Sequence, residues 1–135
     1  MSVPVRIEEH GALRVLALND PPSRNALGPL AAERLMGALE DAAADPDVRL
    51  VALTGDGGIF CSGAAIRAWE AADDTGETLT DVGTALCDLI ERLPVPVVGC
   101  LPGHAVGGGA ELAMACDWRI VDPAAELRFV HTGFG

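Results

Sequence analysis

No run of about 18 apolar residues appears anywhere in this chain, so a single membrane-spanning helix is not expected. There is no charged-then-apolar leader either, and a cytoplasmic location is the expectation. Cations are scarce: 9 Lys and Arg against 20 Asp and Glu give a formal net charge of −11. That balance argues against nucleic acid or an anionic membrane as a partner. It leaves room for a small anionic ligand, because a few local Arg and backbone N–H groups can hold phosphate inside an acidic protein. Cys61, Cys87, Cys100 and Cys116 form no C-x-x-C pair, and the three His residues lie at no zinc-ligand spacing from them, so no metal site is expected and a reducing compartment fits. Motifs for nucleotides and for serine nucleophiles are also missing. Gly107-Gly108-Gly109 does not match G-x-G-x-x-G, no G-K-[ST] follows, and Phe60 stands where G-x-S-x-G needs glycine, which removes Ser62 as a nucleophile.

What the chain does have is 135 residues, half of them apolar, enough for one domain with a core. Its most informative stretch runs from Pro96 to Asp117. A short apolar run bounded by prolines predicts a buried strand, Pro102-Gly103 breaks it, and three glycines precede an Ala/Leu/Met run of good helix formers. Glycines keep side chains away from a ligand, and the N–H groups entering a helix have no intrahelical partner, so they can hold a developing oxyanion. Glu111 falls in the first helical turn beside them, where its carboxyl could act as acid or base. A purely structural Glu111 is the competing reading, since the helix dipole favours acidic residues there by roughly 0.3–1 kcal/mol.

The stretch Gly103-His104-Ala105-Val106-Gly107-Gly108-Gly109-Ala110-Glu111-Leu112, followed by Ala115-Cys116-Asp117-Trp118-Arg119-Ile120, resembles the crotonase (enoyl-CoA hydratase/isomerase) family. Three blocks upstream join it in order: Leu18-Asn19-Asp20-Pro21 with Arg24-Asn25-Ala26-Leu27, Leu53-Thr54-Gly55-Asp56-Gly57, and Phe60-Cys61-Ser62-Gly63-Ala64. The resemblance implies an α/β fold with a ββα spiral core. It implies an acyl-CoA thioester as substrate, with coenzyme A arriving as part of it and no permanently bound cofactor. By the same resemblance the backbone N–H groups of Ala64 and Gly108 form the oxyanion hole and Glu111 is the acid/base. Arg24, Ala26, Ile66 and Gly107 border the bound thioester. The family pattern often has Asp where this chain has Ala65, which removes a polar anchor from that loop.

The resemblance also implies a second glutamate, and this chain lacks it. Counting back from Gly135, the position falls on His131, with Val130 where the family tends to have Pro. His131 could serve as general acid/base, with an unperturbed pKa of about 6.5, or it could be only a strand-end residue. Family members carry a further C-terminal helical half that completes the active-site wall and packs trimers and hexamers. The expectation is therefore one incomplete domain over residues 1–135, acting as a hydratase (lyase) or isomerase of fatty-acid type metabolism in a homo-oligomer. The rival readings are a catalytically silent fragment that acts by binding or self-association, and a generic α/β nucleotide-binding domain.

Periodicity fills in the remainder. Val3 to Glu8 and Leu13 to Leu18 predict a hairpin, and Leu27 to Ala44 a helix with Leu35, Leu39 and Ala42 on one face. Val48 to Thr54 reads as a strand covered on both faces. Thr78-x-x-Asp81 resembles a cap for a helix whose apolar stripe is Leu79, Val82, Leu86, Leu89 or Ile90, and Leu93. That stripe is expected to be core rather than ligand pocket, Trp69 is ambiguous between the two, and Cys116 to Val121 predicts a last strand.

Overall fold

Alternating apolar residues set the edge of the main sheet. The computed structural model of the chain describes residues 3–72 and 79–130. Strands β1 (Val5–His10) and β2 (Leu13–Leu18) form the expected antiparallel hairpin, with Val5 opposite Leu18 and His10 opposite Leu13. The sheet then grows by parallel neighbours: β3 (Leu50–Gly55), β4 (Val97–Leu101) and β6 (Trp118–Val121), in the order β1-β2-β3-β4-β6. Parallel neighbours need crossovers, and helices supply them. Helix α1 (Pro29–Ala44) joins β2 to β3, α2 (Ile66–Ala71) and α3 (Leu79–Arg92) lie between β3 and β4, and α4 (Gly108–Ala115) lies between β4 and β6. Two short strands, β5 (Ala105–Val106) and β7 (Leu127–Arg128), pair in parallel as a separate sheet.

The core is the contact between one face of the main sheet and the apolar stripes of α1 and α3. Leu16, Val51, Leu53 and Val97 are wholly buried, as are Leu35 and Leu39 of α1, while Leu86 and Ile90 of α3 are nearly so. Each such side chain stabilises the fold by about 1.5–3 kcal/mol through the apolar surface it removes from water. The helical stripes expected from spacing are therefore core, and Trp69 packs against them while its indole N–H donates to the Leu27 carbonyl at 2.7 Å. Leu79 and the cap at Thr78 lie outside the described side chains.

Strand β1 runs from Val5 to His10 rather than from Val3 to Glu8, and the starts of three further elements differ from the sequence reading, each for a local reason. Helix α1 starts at Pro29 rather than Leu27, because Leu27 is held in a parallel bridge to Ala64 and Gly28 is extended. Strand β3 starts at Leu50 because the Val48 N–H donates back to Asp45 in the turn that closes α1. Strand β6 starts at Trp118 because Asp117 is used as a clasp: its N–H donates to Val97 and its carboxylate accepts the Val97 N–H at 2.8 Å. Coverage of β3 also differs. Val51 and Leu53 are buried, whereas Leu50, Ala52 and Thr54 on the opposite face are only half-buried, so the continuous apolar run does not mark a strand covered on both sides.

One ion pair ties the hairpin to the loop after β3. Arg6 donates through Nε and Nη2 to both carboxylate oxygens of Asp56 at 2.9 Å, and its Nη1 bonds Glu8. The Arg6 hydrogen bonds hold the Asp56 carboxyl below its ordinary value of 3.8. A group whose folded pKa is depressed contributes stability above its unfolded pKa and loses it as pH falls through the folded value. Asp56→Asn is therefore expected to lower the urea midpoint at about pH 7 and to lose less of that midpoint between about pH 5 and pH 2 than the parent chain. Equal acid slopes in the two proteins would show that the pair contributes nothing.

Candidate functional site

The turn clusters of the sequence become three parallel tracks that meet at the start of α4. The first is Asn19 to Leu27. Asn25, nearly fully buried with φ 57°, accepts the Asp20 N–H at 2.8 Å and donates to the carbonyls of Asp56, Ile59 and Phe60 at 2.9, 3.1 and 3.3 Å. A buried amide with its donors and acceptor used in this way fixes the loop backbone. The second track, Phe60 to Ala65, lies against the first. The Ser62 N–H donates to Arg24 at 3.0 Å, the Leu27 N–H to Gly63 at 2.8 Å, and the Ala65 N–H to Leu27 at 3.0 Å.

That last pair decides where Ala64 points. A parallel bridge between Leu27 and Ala64 uses the N–H groups of Leu27 and Ala65, so the Ala64 N–H is directed to the other side of the strand. On that side lies the third track, His104 to Gly109. The Phe60 N–H donates to His104 at 3.1 Å and the Val106 N–H to Cys61 at 2.9 Å. Gly63, with φ +104°, lets the two tracks touch: a Cβ there would sit 2.9 Å from the Val106 carbonyl oxygen and 3.7 Å from the Gly108 nitrogen. The third track is braced from outside by β7, since the Ala105 N–H donates to Glu126 at 3.0 Å and the Gly107 N–H to Arg128 at 2.7 Å. His104 Nδ1 accepts the Glu126 N–H at 2.9 Å and completes that brace.

Helix α4 then begins abruptly. Gly107 has φ 56° and ψ −121°, a conformation that only glycine adopts without strain. The first bond back along the helix is from the Glu111 N–H to Gly107 at 3.0 Å, so the N–H groups of Gly108, Gly109 and Ala110 precede the helical pairing. They add the positive end of the helix dipole to the same place.

Ala64, Gly108 and Glu111 all line one cleft of about 710 Å³. Leu27, Leu112, Met114, Ala115 and Phe129 give it apolar walls, and α3 contributes Thr84, Cys87, Asp88 and Glu91. Of the residues expected at a site, the fold thus brings three together. Gly107 shapes the helix entrance, and neither it nor Arg24 nor Ala26 lines the cleft; the Arg24 carbonyl accepts the Ser62 N–H of the second track. Ile66 is exposed at the start of α2, and His131 lies outside the described residues. Glu111 itself is solvent-exposed at the mouth.

The polar row of α3 that lines the cleft is what the sequence reading missed. Thr84, Cys87, Asp88 and Glu91 recur at helical spacing on a row beside the apolar stripe, and periodicity marks only the stripe. Cys87 reports the local field: burial first, then the charges of Glu111, Glu91 and Asp88, push its thiol up to about 11. It is a neutral thiol at physiological pH, and so are Cys61 and Cys116, which burial raises to about 11 and about 12. Among the described residues no group of three His, Cys, Asp or Glu could hold a metal ion, and no helix is long and apolar enough to cross a membrane.

Comparison with known proteins gives one answer. The family model described as enoyl-CoA hydratase/isomerase matches residues 8–135. A Thermus thermophilus protein named for enoyl-CoA hydratase is 40% identical over 131 residues, covering 94% of this chain and 52% of that protein. The mouse mitochondrial methylglutaconyl-CoA hydratase is 34% identical over 128 residues, covering 93% of this chain and 40% of its own length. Among solved structures, the enoyl-CoA hydratase from Bacillus anthracis superposes with a TM-score of 0.84 at 27% identity, over 96% of this chain and 52% of that one. The chain spans about half the length of the curated relatives it matches.

Proposed function

The chain belongs to the enoyl-CoA hydratase/isomerase family, and from that premise we propose that its cleft binds an acyl-CoA thioester and stabilises the enolate formed from it. Its α/β core is that of the crotonase fold, in the part the solved relatives share with it. The thioester oxygen would lie between the N–H groups of Ala64 and Gly108. Negative charge grows on that oxygen as a nucleophile adds at the β-carbon or a proton leaves the α-carbon, and two fixed donors lower the barrier only if they meet it there. Each such donor contributes about 10²–10³ in rate. Glu111 would carry the proton: as carboxylate it takes one from water or from carbon, and as carboxylic acid it returns one, which suits hydration or a double-bond shift. Arg24 and Ala26, at the outer end of the first track, would meet the coenzyme A portion. His131 would be the second acid/base. The working unit would be a cytoplasmic homo-oligomer.

The observation that carries this reading is the arrival of Ala64, Gly108 and Glu111 from two separate tracks on one cleft. The test is turnover of crotonyl-CoA, followed as loss of the enoyl thioester absorbance, beside calorimetric titration with the saturated butyryl-CoA. Turnover with binding is the expected result. A folded chain that binds butyryl-CoA without turnover would leave only thioester recognition and favour the silent fragment, and a folded chain that binds neither would overturn the proposal.

A further inference from the structure

Beyond the reaction itself, the walls of the cleft differ in charge according to which helix supplies them. The α4 side and its neighbours are apolar: Leu112, Met114, Ala115, Leu27 and Phe129. The α3 side carries Asp88 and Glu91, one helical turn apart, and shares the cleft with Glu111. Among the described residues lining the cleft there is no Arg, Lys or His. The neighbouring cation of α3, Arg92, donates to the backbone carbonyl of Asp88 at 3.2 Å and is not part of the lining.

Resting on the acyl-CoA reading above, we propose that Asp88 and Glu91 make this cleft select acyl groups by charge, taking uncharged chains and disfavouring those that end in a carboxylate. An uncharged chain meets apolar walls on one side and needs nothing from the acidic row. A terminal carboxylate would be drawn out of water toward two or three like charges, with no cation among the described lining residues to receive it. At separations of a few ångströms in a water-accessible cleft, each like charge weakens binding several-fold, so about tenfold discrimination is expected from the pair. Because the row is open to solvent, the discrimination is expected to shrink as salt shortens the Debye length below about 10 Å. The raised thiol of Cys87 is in keeping with this, since the same three carboxylates act on it at one point of the cleft.

The experiment compares two saturated thioesters of matched shape, 5-methylhexanoyl-CoA and glutaryl-CoA, titrated calorimetrically into the chain at low and at high ionic strength. The expected result is at least about tenfold tighter binding of the uncharged ligand at low salt, narrowing at high salt, and a ratio about tenfold smaller in the double variant Asp88→Asn, Glu91→Gln, which keeps only the preference of the apolar walls. A ratio near one in the parent chain overturns the proposal, and so does a ratio that the double variant leaves unchanged. A general loss of fold in the variant would weaken both ligands together, so the single substitutions Asp88→Asn and Glu91→Gln, each expected to move the ratio partway, serve as the second reading. Binding of neither ligand by the folded parent chain would instead overturn the acyl-CoA reading, and the charge selection with it.

Discussion

Turnover of crotonyl-CoA is expected to fall by about 10²–10⁴ in Glu111→Gln, with the loss in kcat rather than in KM. Glutamine keeps the size and much of the polarity of glutamate but cannot exchange a proton. Glu111 is the one carboxylate of the cleft that stands on α4 three residues after Gly108, at the helix entrance; Asp88 and Glu91 belong to the facing helix. Cys87 shares the cleft, but its thiol stays protonated because its pKa is pushed up to about 11. The same substitution should be readable without any substrate. Part of the upward shift of Cys87 comes from the Glu111 charge, so removing that charge lowers the Cys87 pKa and speeds its alkylation at a fixed alkaline pH. Unchanged turnover would take the proton transfer away from Glu111. Unchanged alkylation would show that the two side chains do not share a field.

Glu111 stood out in a local pattern of unusual density, three glycines entering a helix between two apolar runs, but that pattern alone left a structural glutamate as the competing reading, and the resemblance to a family supplied its proposed role. The helical stripes were legible for a similar reason: Leu35, Leu39, Leu86 and Ile90 recur at a period that only a one-sided helix satisfies, and all four are core. Where periodicity is too short to register, the sequence was silent. The two-residue strands β5 and β7 cannot alternate enough to be seen, yet their pairing braces Gly107 against Arg128. Asn25 was invisible as a structural residue because a buried amide clamp and a solvated turn asparagine have the same local sequence. The proposed roles of Ala64 and Gly108 lie in backbone N–H groups; the glycine-rich helix entrance marked the second, and only the resemblance to a family pointed to Ala64. The acidic row of α3 shows the opposite limit. Its spacing was readable, but whether a polar row faces water or a cleft depends on which helix packs beside it.

The neighbouring glycines Gly108 and Gly109 are expected to respond to the same substitution in opposite ways. A Cβ on Gly109 would lie 2.3 Å from the Cys61 carbonyl oxygen and 2.8 Å from its Cβ. Neither atom is the end of a flexible side chain, and the carbonyl already accepts the Val106 N–H at 2.9 Å, so relief requires parting the second and third tracks. Gly109→Ala is therefore expected to destabilise the fold by about 1–3 kcal/mol, the usual range for overpacking, and to displace Ala64 relative to α4. A Cβ on Gly108 meets no heavy atom within 4 Å. Gly108→Ala should keep or slightly raise stability, by roughly 0.4–1 kcal/mol through the less flexible unfolded chain. Its methyl group, however, would be added to a residue that lines the cleft together with Ala64 and Glu111. Urea midpoints should separate the two variants in stability, while butyryl-CoA titration should show weakened binding in Gly108→Ala despite its intact fold. Equal midpoints would mean that the contact of Gly109 with Cys61 is loose enough to yield. Full affinity in Gly108→Ala would place the thioester away from the α4 entrance, and the oxyanion assignment would go with it.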